Sequence, residues 1–554
     1  MVVRHVQQHN FSIVPQAHIP RSSFNRSFGL KTTFDSGYLI PFFCDEVIPG
    51  DTINLTASCF VRLASPLQYP IFDNMYFETF YFFVPNRLIW EHWQNFMGEQ
   101  VNPTDSIDYL IPQITPNKST GFESFSLADY FGLPINIPDL SVNALWHRAY
   151  FKIYQDWFKD ENLVSIDTDV LYTGDTTKTD AKYGLVRRGK RHDYFTSCLP
   201  FPQKGPAVEI PLGTTAPVVG NGNALGLSVK YNNAIINDSY ALINTAVSSS
   251  VSNNVLKVAG NFSGQSAGTT ISASSTSGNG TNQVVGVSTD STYSGLIADL
   301  SSATAATINS LRQAFAYQSL FEAFARGGSR YIEIIRSCFG VVSPDGRLQR
   351  AEYLGGSSDM LRTDTVVQTS QTSSDSTLGD LGAYAYSSNV KHGFTRSFSE
   401  HGVIIGLCNV RADLTYQQGI PRMFSRRERF DFYFPQLAHL GEQAVLNKEI
   451  YAQGTSADEQ VFGYQERWAE YRYKPSQITG MFRSTYPQSL DAWHLSQKFD
   501  SLPTLNQTFI EENPPIDRVV AVTDLPQFIM DAYFKQIHVR PMPTYSVPGI
   551  GTRF

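Results

Sequence analysis

Charge is what this chain of 554 residues has least of: Lys, Arg, Asp and Glu make up 17% of it, against roughly 25% in an ordinary soluble domain. So thinly charged a surface points to a protein that covers much of itself with partners. The net charge of −7 excludes wrapping nucleic acid by bulk positive charge, so any such contact must come from local basic patches. Cysteine is scarce. Cys44, Cys59, Cys198, Cys338 and Cys408 are odd in number, far apart and without a C-x-x-C pair, and are expected as reduced, mostly buried thiols of a cytosolic product. Nowhere do about 18 apolar residues run together. The opening MVVRHVQQHNFSIVPQ lacks an apolar h-region, so neither secretion nor membrane insertion is expected.

Catalytic and metal-binding patterns are equally sparse. No P-loop, H-E-x-x-H or EF-hand pattern is present. Gly264-Gln265-Ser266-Ala267-Gly268 matches G-x-S-x-G, but a nucleophile elbow needs a strand before the serine and a helix after it, and this match lies in a Gly/Ser-rich tract. His5 and His9 have helical spacing without a third ligand. Paired acids such as Asp167/Asp169 and Glu511/Glu512 are ordinary for loops. The expectation is a chain with no catalytic residue, no metal and no cofactor.

Aromatics are plentiful, with 38 Phe and 28 Tyr, which favours β structure and large contact surfaces. Between Ile53 and Leu63 every odd position is apolar and most even ones are polar, the period of a half-buried antiparallel strand. Residues 75–84 (MYFETFYFFV) are apolar on both faces and read as a central strand ended by Pro85. Further strand-like runs are 331–335, 403–410, 430–434 and 534–539. Helices are expected from Asn86 to Gly98, from Ser141 onwards along Leu145, Ala149, Ile153 and Trp157, and over 307–326. Residues 1–37 read as an extended arm.

Composition changes at 213–310, where 98 residues hold five charges and four aromatics amid Ser, Thr, Gly, Asn and Val. Low charge with abundant Thr and Val favours short β-ribbons in a polar exposed insertion over a floppy linker. Three stretches follow: 1–212 as arm and first part of a β domain with helical loop insertions, 213–310 as surface insertion, and 311–554 as the remainder of the β domain with a C-terminal interface segment. Many short strands, long loops and few helices point to a mainly β sandwich, of which an eight-stranded antiparallel jelly roll is one form.

Two basic runs sit beside aromatic rings. Arg187, Arg188, Lys190 and Arg191 precede Tyr194 and Phe195, while Arg426, Arg427 and Arg429 adjoin Phe430, Phe432 and Tyr433. Arginines hold phosphates and rings stack on unpaired bases, so both runs are candidate single-stranded-DNA contacts, the first the denser. The alternative for each is a solvated loop or an ion-paired contact.

Long stretches resemble the major capsid proteins of the gokushovirus branch of the Microviridae. They are 21–52 (RSSFNRSFGLKTTFDSGYLIPFFCDEVIPGDT), 80–99 (FYFFVPNRLIWEHWQNFMGE), 187–206 (RRGKRHDYFTSCLPFPQKGP), 332–356 (IEIIRSCFGVVSPDGRLQRAEYLGG), 434–454 (FPQLAHLGEQAVLNKEIYAQG), 462–476 (FGYQERWAEYRYKPS) and 540–549 (RPMPTYSVPG). The resemblance implies an eight-stranded jelly roll of viral capsid type with long inserted loops. It also implies a virion shell of T=1 symmetry, sixty copies enclosing circular single-stranded DNA, assembled in the host cytoplasm. The implied partners are other copies of the chain, the viral DNA, a small basic DNA-binding protein, a pilot protein, a scaffold protein and a host receptor. The insertion at 213–310 occupies the place of the family's three-fold protrusion and is the expected receptor contact, although its own sequence departs from the family pattern. A β-sandwich glycan-binding or glycan-cleaving protein is the competing expectation; it would need two convergent carboxylates in a cleft.

Overall fold

The computed structural model describes residues 20–206, 208, 308–372 and 377–545, with short strand segments between 218 and 298. His5, His9, residues 264–268, the first half of the arm and most of 213–310 lie outside the described residues. Two compact units make up the chain: Met1–Gly205 with Phe321–Phe554, and Pro206–Leu320.

Among the described residues, the two main sheets of the larger unit are built on ten strands: β1 (Ser22–Asn25), β2 (Phe28–Phe34), β3 (Ile40–Val47), β4 (Thr52–Leu63), β5 (Met75–Pro85), β6 (Glu352–Met360), β7 (Arg362–Val367), β8 (Leu381–Ser397), β9 (Gly402–Ala412) and β10 (Phe528–Arg540). They form two antiparallel sheets. One runs β1–β10–β4–β8–β7, with β2 also paired to β10; the other runs β6–β5–β9–β3. With β1 and β7 set aside as edge pieces, eight strands remain, four to a sheet. Every connection among them crosses to the other sheet except β5 to β6. This order fits the eight-stranded jelly roll expected from the sequence.

Both sheets share one core. Phe34, Leu55, Phe528 and Phe534 from the first sheet bury against Phe42, Phe77, Tyr81 and Ile404 from the second. Ring contacts cross the gap, Phe534 to Phe43 at 5.2 Å and Phe394 to Tyr81 at 5.6 Å.

The outer faces of the two sheets differ. β9 is buried at every position because α1 (Leu145–Ile153) and its neighbouring loops cover the second sheet, Leu145, Tyr150 and Trp90 meeting Phe82, Val84 and Ile405. On the first sheet β4 and β10 alternate buried with open positions, as a sheet does when one face is packed and the other is free.

Local patterning held where it was strongest. The alternating run at 53–63 lies in β4, the apolar run at 75–84 in β5, and 403–410 and 534–539 in β9 and β10. The helix expected at 307–326 is α2 (Ile308–Arg326). Four expectations need correction. Residues 331–335 are helical, the start of α3 (Tyr331–Phe339), which ends at Gly340 with a left-handed φ of 70°. Residues 430–434 form no strand, because the Asp431 carboxylate accepts the amides of Arg427 (2.8 Å) and Glu428 (2.9 Å) and turns the chain. The helix expected at 86–98 breaks into single turns at Asn86–Leu88 and Trp93–Phe96, with Trp90 buried between them and bonded to Asp175. The helix expected from Ser141 starts only at Leu145, because Val142–Asn143 pair as strand with residues 113–114. In the smaller unit, short antiparallel ribbons form, such as Leu227–Tyr231 with Gln283–Val287 and Val255–Ala259 with Thr270–Ser272.

Candidate functional site

The first basic run is threaded in extended form between two other segments. Leu39 donates its amide to the Val186 carbonyl (3.0 Å), Arg188 to Gly37 (2.8 Å), Lys190 to Ile510 (2.7 Å), and Glu512 to Arg188 (2.8 Å). The approach at Gly37 is close enough to demand glycine: its φ is +79°, and a Cβ there would stand 2.1 Å from the Glu512 carbonyl oxygen.

This threading drives the run's side chains into the subunit. Arg188, Arg191 and Arg411 converge on the buried carboxylate of Glu78, with Arg411 at 2.9 Å, Arg191 at 3.4 Å and Arg188 in direct contact. Arg188 also donates to the Asn409 side chain (3.0 Å) and lies over the Phe80 ring at 4.6 Å. Burial alone would push the Glu78 carboxyl up, but the surrounding guanidiniums outweigh it and hold it below the usual carboxylate range. Burial lowers Arg188 to about 10. Arg187 donates to the Glu512 carbonyl (3.0 Å) and the Asn513 side chain (3.1 Å), and stacks on Tyr38 at 4.1 Å. Arg191 adds Asp413 (3.3 Å) and the Tyr76 ring (4.0 Å).

Lys190 is 7% exposed. Its ammonium donates to the Phe509 carbonyl (2.6 Å) and the Gln497 side chain (2.8 Å), and burial lowers it to about 8. Tyr194 and Phe195 belong to a third core cluster with Val445, Ile450, Phe462 and Phe509, where the Tyr194 hydroxyl donates to Glu449 (2.8 Å). The six residues expected at 187–195 as one DNA-binding patch are thus held together, but by contacts within the subunit. Lys190, Tyr194 and Phe195 offer no free ammonium or open ring face to a strand of DNA. What the sequence reading missed is Glu78, which sits in the middle of an apolar strand; an acid in such a run is itself a signal of a buried cationic partner.

The second run is arranged differently. Arg426 turns inward, donating to Glu470 (3.1 Å) and lying over Tyr471 at 4.3 Å. Arg427 and Arg429 are exposed, and beside them Phe424 is 71% and Phe430 63% exposed, with Phe432 and Tyr433 open as well. Two exposed guanidiniums among open rings have the chemistry to hold phosphates and stack on bases or to seat a neighbouring protein surface.

The family model described as capsid protein (F protein) matches residues 12–550. The chain belongs to that family. It is 48% identical over 551 residues to capsid protein VP1 of Bdellovibrio phage phiMH2K, covering 99% of this chain and 98% of the relative. It is 43% identical to capsid protein VP1 of Chlamydia phage 1, with 98% of each chain covered. Capsid protein VP1 of Spiroplasma virus 4 is 35% identical, over 98% of this chain and 97% of its own. All three are gokushovirus proteins, as the sequence resemblance implied. The chain is therefore a major capsid protein of a microvirus, a structural component of the virion that assembles into a shell, and not an enzyme. The glycan-binding or glycan-cleaving alternative is not favoured. Among the described residues no helix is long and apolar enough to cross a membrane.

Proposed function

We propose that sixty copies of this chain close a T=1 icosahedral shell around a circular single-stranded DNA genome, assembled in the host cytoplasm. The observation that carries this reading is the match to phage capsid proteins along almost the whole chain, on a two-sheet β sandwich whose strand order fits a jelly roll. Rings and aliphatics left open in loops, among them Phe72, Leu110, Phe424 and Tyr545, give such a shell its contact surfaces. Closure requires rings of unlike patches at the five-fold and three-fold axes and like patches at the two-folds. Expression followed by sedimentation and electron microscopy tests this. A closed megadalton particle with this chain as its dominant band is the expected result, and virions built mainly from another chain would overturn it.

A subunit of net charge −7 cannot neutralise its contents. A small basic companion protein and counterions supply the balance in this reading, with pilot and scaffold proteins as further partners. Of the candidate DNA contacts at 187–195 and 426–429, Arg427 and Arg429 are the ones proposed to meet DNA. Arg187, Arg188, Lys190, Arg191, Tyr194, Phe195 and Arg426 are proposed to act through the fold. Residues 213–310 are proposed as an outer protrusion that contacts the host receptor. Their composition supports this, with too few large side chains to share a core. Replacing 213–301 by a short Gly/Ser linker should leave particles that form but no longer attach; a subunit that fails to fold would place the tract in the core.

A further inference from the structure

The open face of the first sheet carries an organised set of aromatic and cationic side chains. Strand register fixes one row across it: Ile529 on β10 faces Arg62 on β4, Arg62 faces Tyr386 on β8, and Tyr386 faces Arg362 on β7. Tyr384, two residues along β8 and so on the same face, stacks on Tyr386 with centroids 5.9 Å apart and planes at 20°. Phe60, two residues before Arg62, meets the other side of Tyr386 at 6.1 Å. Farther along the face Tyr533 stands opposite Ser58, in register with Val390, and Lys535 stands opposite Thr56.

These rings are open: Phe60 is 45%, Tyr384 48% and Tyr533 55% exposed. Arg62, Arg362 and Lys535 are exposed as well, and among the described residues none of their side chains has an ion-pair or hydrogen-bond partner. The acids on the face are fewer and are engaged. Asp531 is paired with Lys31 (2.9 Å), and Asp364 faces Tyr384 across the β7–β8 pair and touches it electrostatically. A folded sheet gains nothing by leaving three rings and three unpaired cations on one surface. A polyanion with flat apolar bases is the partner that satisfies both at once, the phosphates meeting the cations and the bases stacking on the rings.

We propose that this sheet face is a stacking platform for single-stranded DNA, with Phe60, Tyr384 and Tyr533 as base-contacting rings, Tyr386 as the ring that holds the first two in place, and Arg62, Arg362 and Lys535 as phosphate contacts. The proposal rests on the reading of the chain as the coat of a single-stranded-DNA phage and specifies which face of the sandwich turns to the genome. No base-edge reader is needed, so binding is indifferent to sequence, as a subunit repeated around a genome requires.

Ultraviolet cross-linking of intact virions, followed by peptide mass spectrometry, tests it without any variant. Nucleotide adducts are expected on the peptides that contain Phe60, Tyr384 and Tyr386, or Tyr533. Adducts confined to other peptides, the 424–434 loop among them, or protein–protein cross-links in place of nucleotide adducts on these peptides, would overturn the platform and leave the capsid reading standing. Virions in which this chain is not the coat would sink that underlying reading instead. A second arm uses assembled particles of a Tyr384→Leu/Tyr386→Leu variant, in which leucine preserves an apolar protein contact but offers no ring to a base. Genome retention on raising salt should weaken on the order of tenfold for the one base-contacting ring removed, with Tyr386 lost as its support. For Arg62→Gln/Lys535→Gln particles the salt slope should fall by about 0.7 per phosphate no longer neutralised. Retention equal to the parent's in both variants would overturn the platform.

Discussion

Residues 187–191 and 426–429 offer similar raw material, four cations in one run and three in the other, each followed by rings. Their surroundings set them apart. The first run lies between residues 37–39 and 510–512 and brings Arg188 and Arg191 to Glu78, joined there by Arg411. The second keeps Arg426 on Glu470 but leaves Arg427 and Arg429 in solvent among open phenylalanines. Density of charge in a sequence therefore does not rank sites for a polyanion. The density of acid that the fold delivers to the same place decides how many cations remain free.

The sharpest way to break this comparison is to take away the acid. Glu78→Gln leaves Arg188, Arg191 and Arg411 around a neutral amide, and an uncompensated buried charge costs about 3–5 kcal/mol. The urea midpoint of the isolated subunit, or its yield of soluble protein, should show a destabilisation of that size. An unchanged midpoint would mean that the guanidiniums are satisfied by solvent and that the first run is surface after all.

Next in size is the close approach at Gly37. Gly37→Ala forces a Cβ into the Glu512 carbonyl at a left-handed φ, which should cost about 1–3 kcal/mol by the same measurement.

Lys190→Met removes the ammonium from the Phe509 carbonyl and the Gln497 side chain while keeping most of the volume. Leaving a buried carbonyl unpaired costs about 1–3 kcal/mol, partly offset because the burial of a charge is relieved. The pH dependence is more diagnostic. The folded ammonium titrates near 8, below the unfolded value of about 10.4. Between these values the unfolded chain binds more protons, so this residue's contribution to stability rises with pH from about 8 to 10. The parent protein should show that rise in its denaturation midpoint relative to the variant; parallel profiles would show that the ammonium is open to water.

The smallest expected effect on stability belongs to Arg427→Gln/Arg429→Gln, within about 0.5 kcal/mol because neither side chain has a partner among the described residues. Its effect on genome retention should be salt-dependent, with a slope lowered by about 0.7 for each phosphate no longer neutralised. A failure to fold, with DNA retention intact in what does fold, would erase the contrast between the two runs.

Much of the fold was legible because it is written in local periods. The alternation through β4 and the doubly apolar β5 are properties of adjacent residues, and burial on one or both faces of a sheet rewards them directly. Where short-range chemistry competed, the pattern misled. Residues 331–335 are rich in isoleucine, yet Glu333 among them caps the start of α3 through the Arg330 amide (3.0 Å) and Gly340 ends it, so the helix wins. At 430–434 a single aspartate takes two backbone amides and no strand forms.

The sequence alone determined the mainly β class, the positions of β4, β5, β9 and β10 and the two arginine-rich runs, since each depends on neighbours within a few residues. Tertiary structure alone decided which arginines are free, which face of which sheet is covered, and that Lys190 is buried. Glu78 lies 110 residues from Arg188 and 333 from Arg411, and nothing in the order of the chain says that they meet. Coulomb attraction in a buried site depends on distance in space, and the pairing of β5 with β9 is what sets that distance.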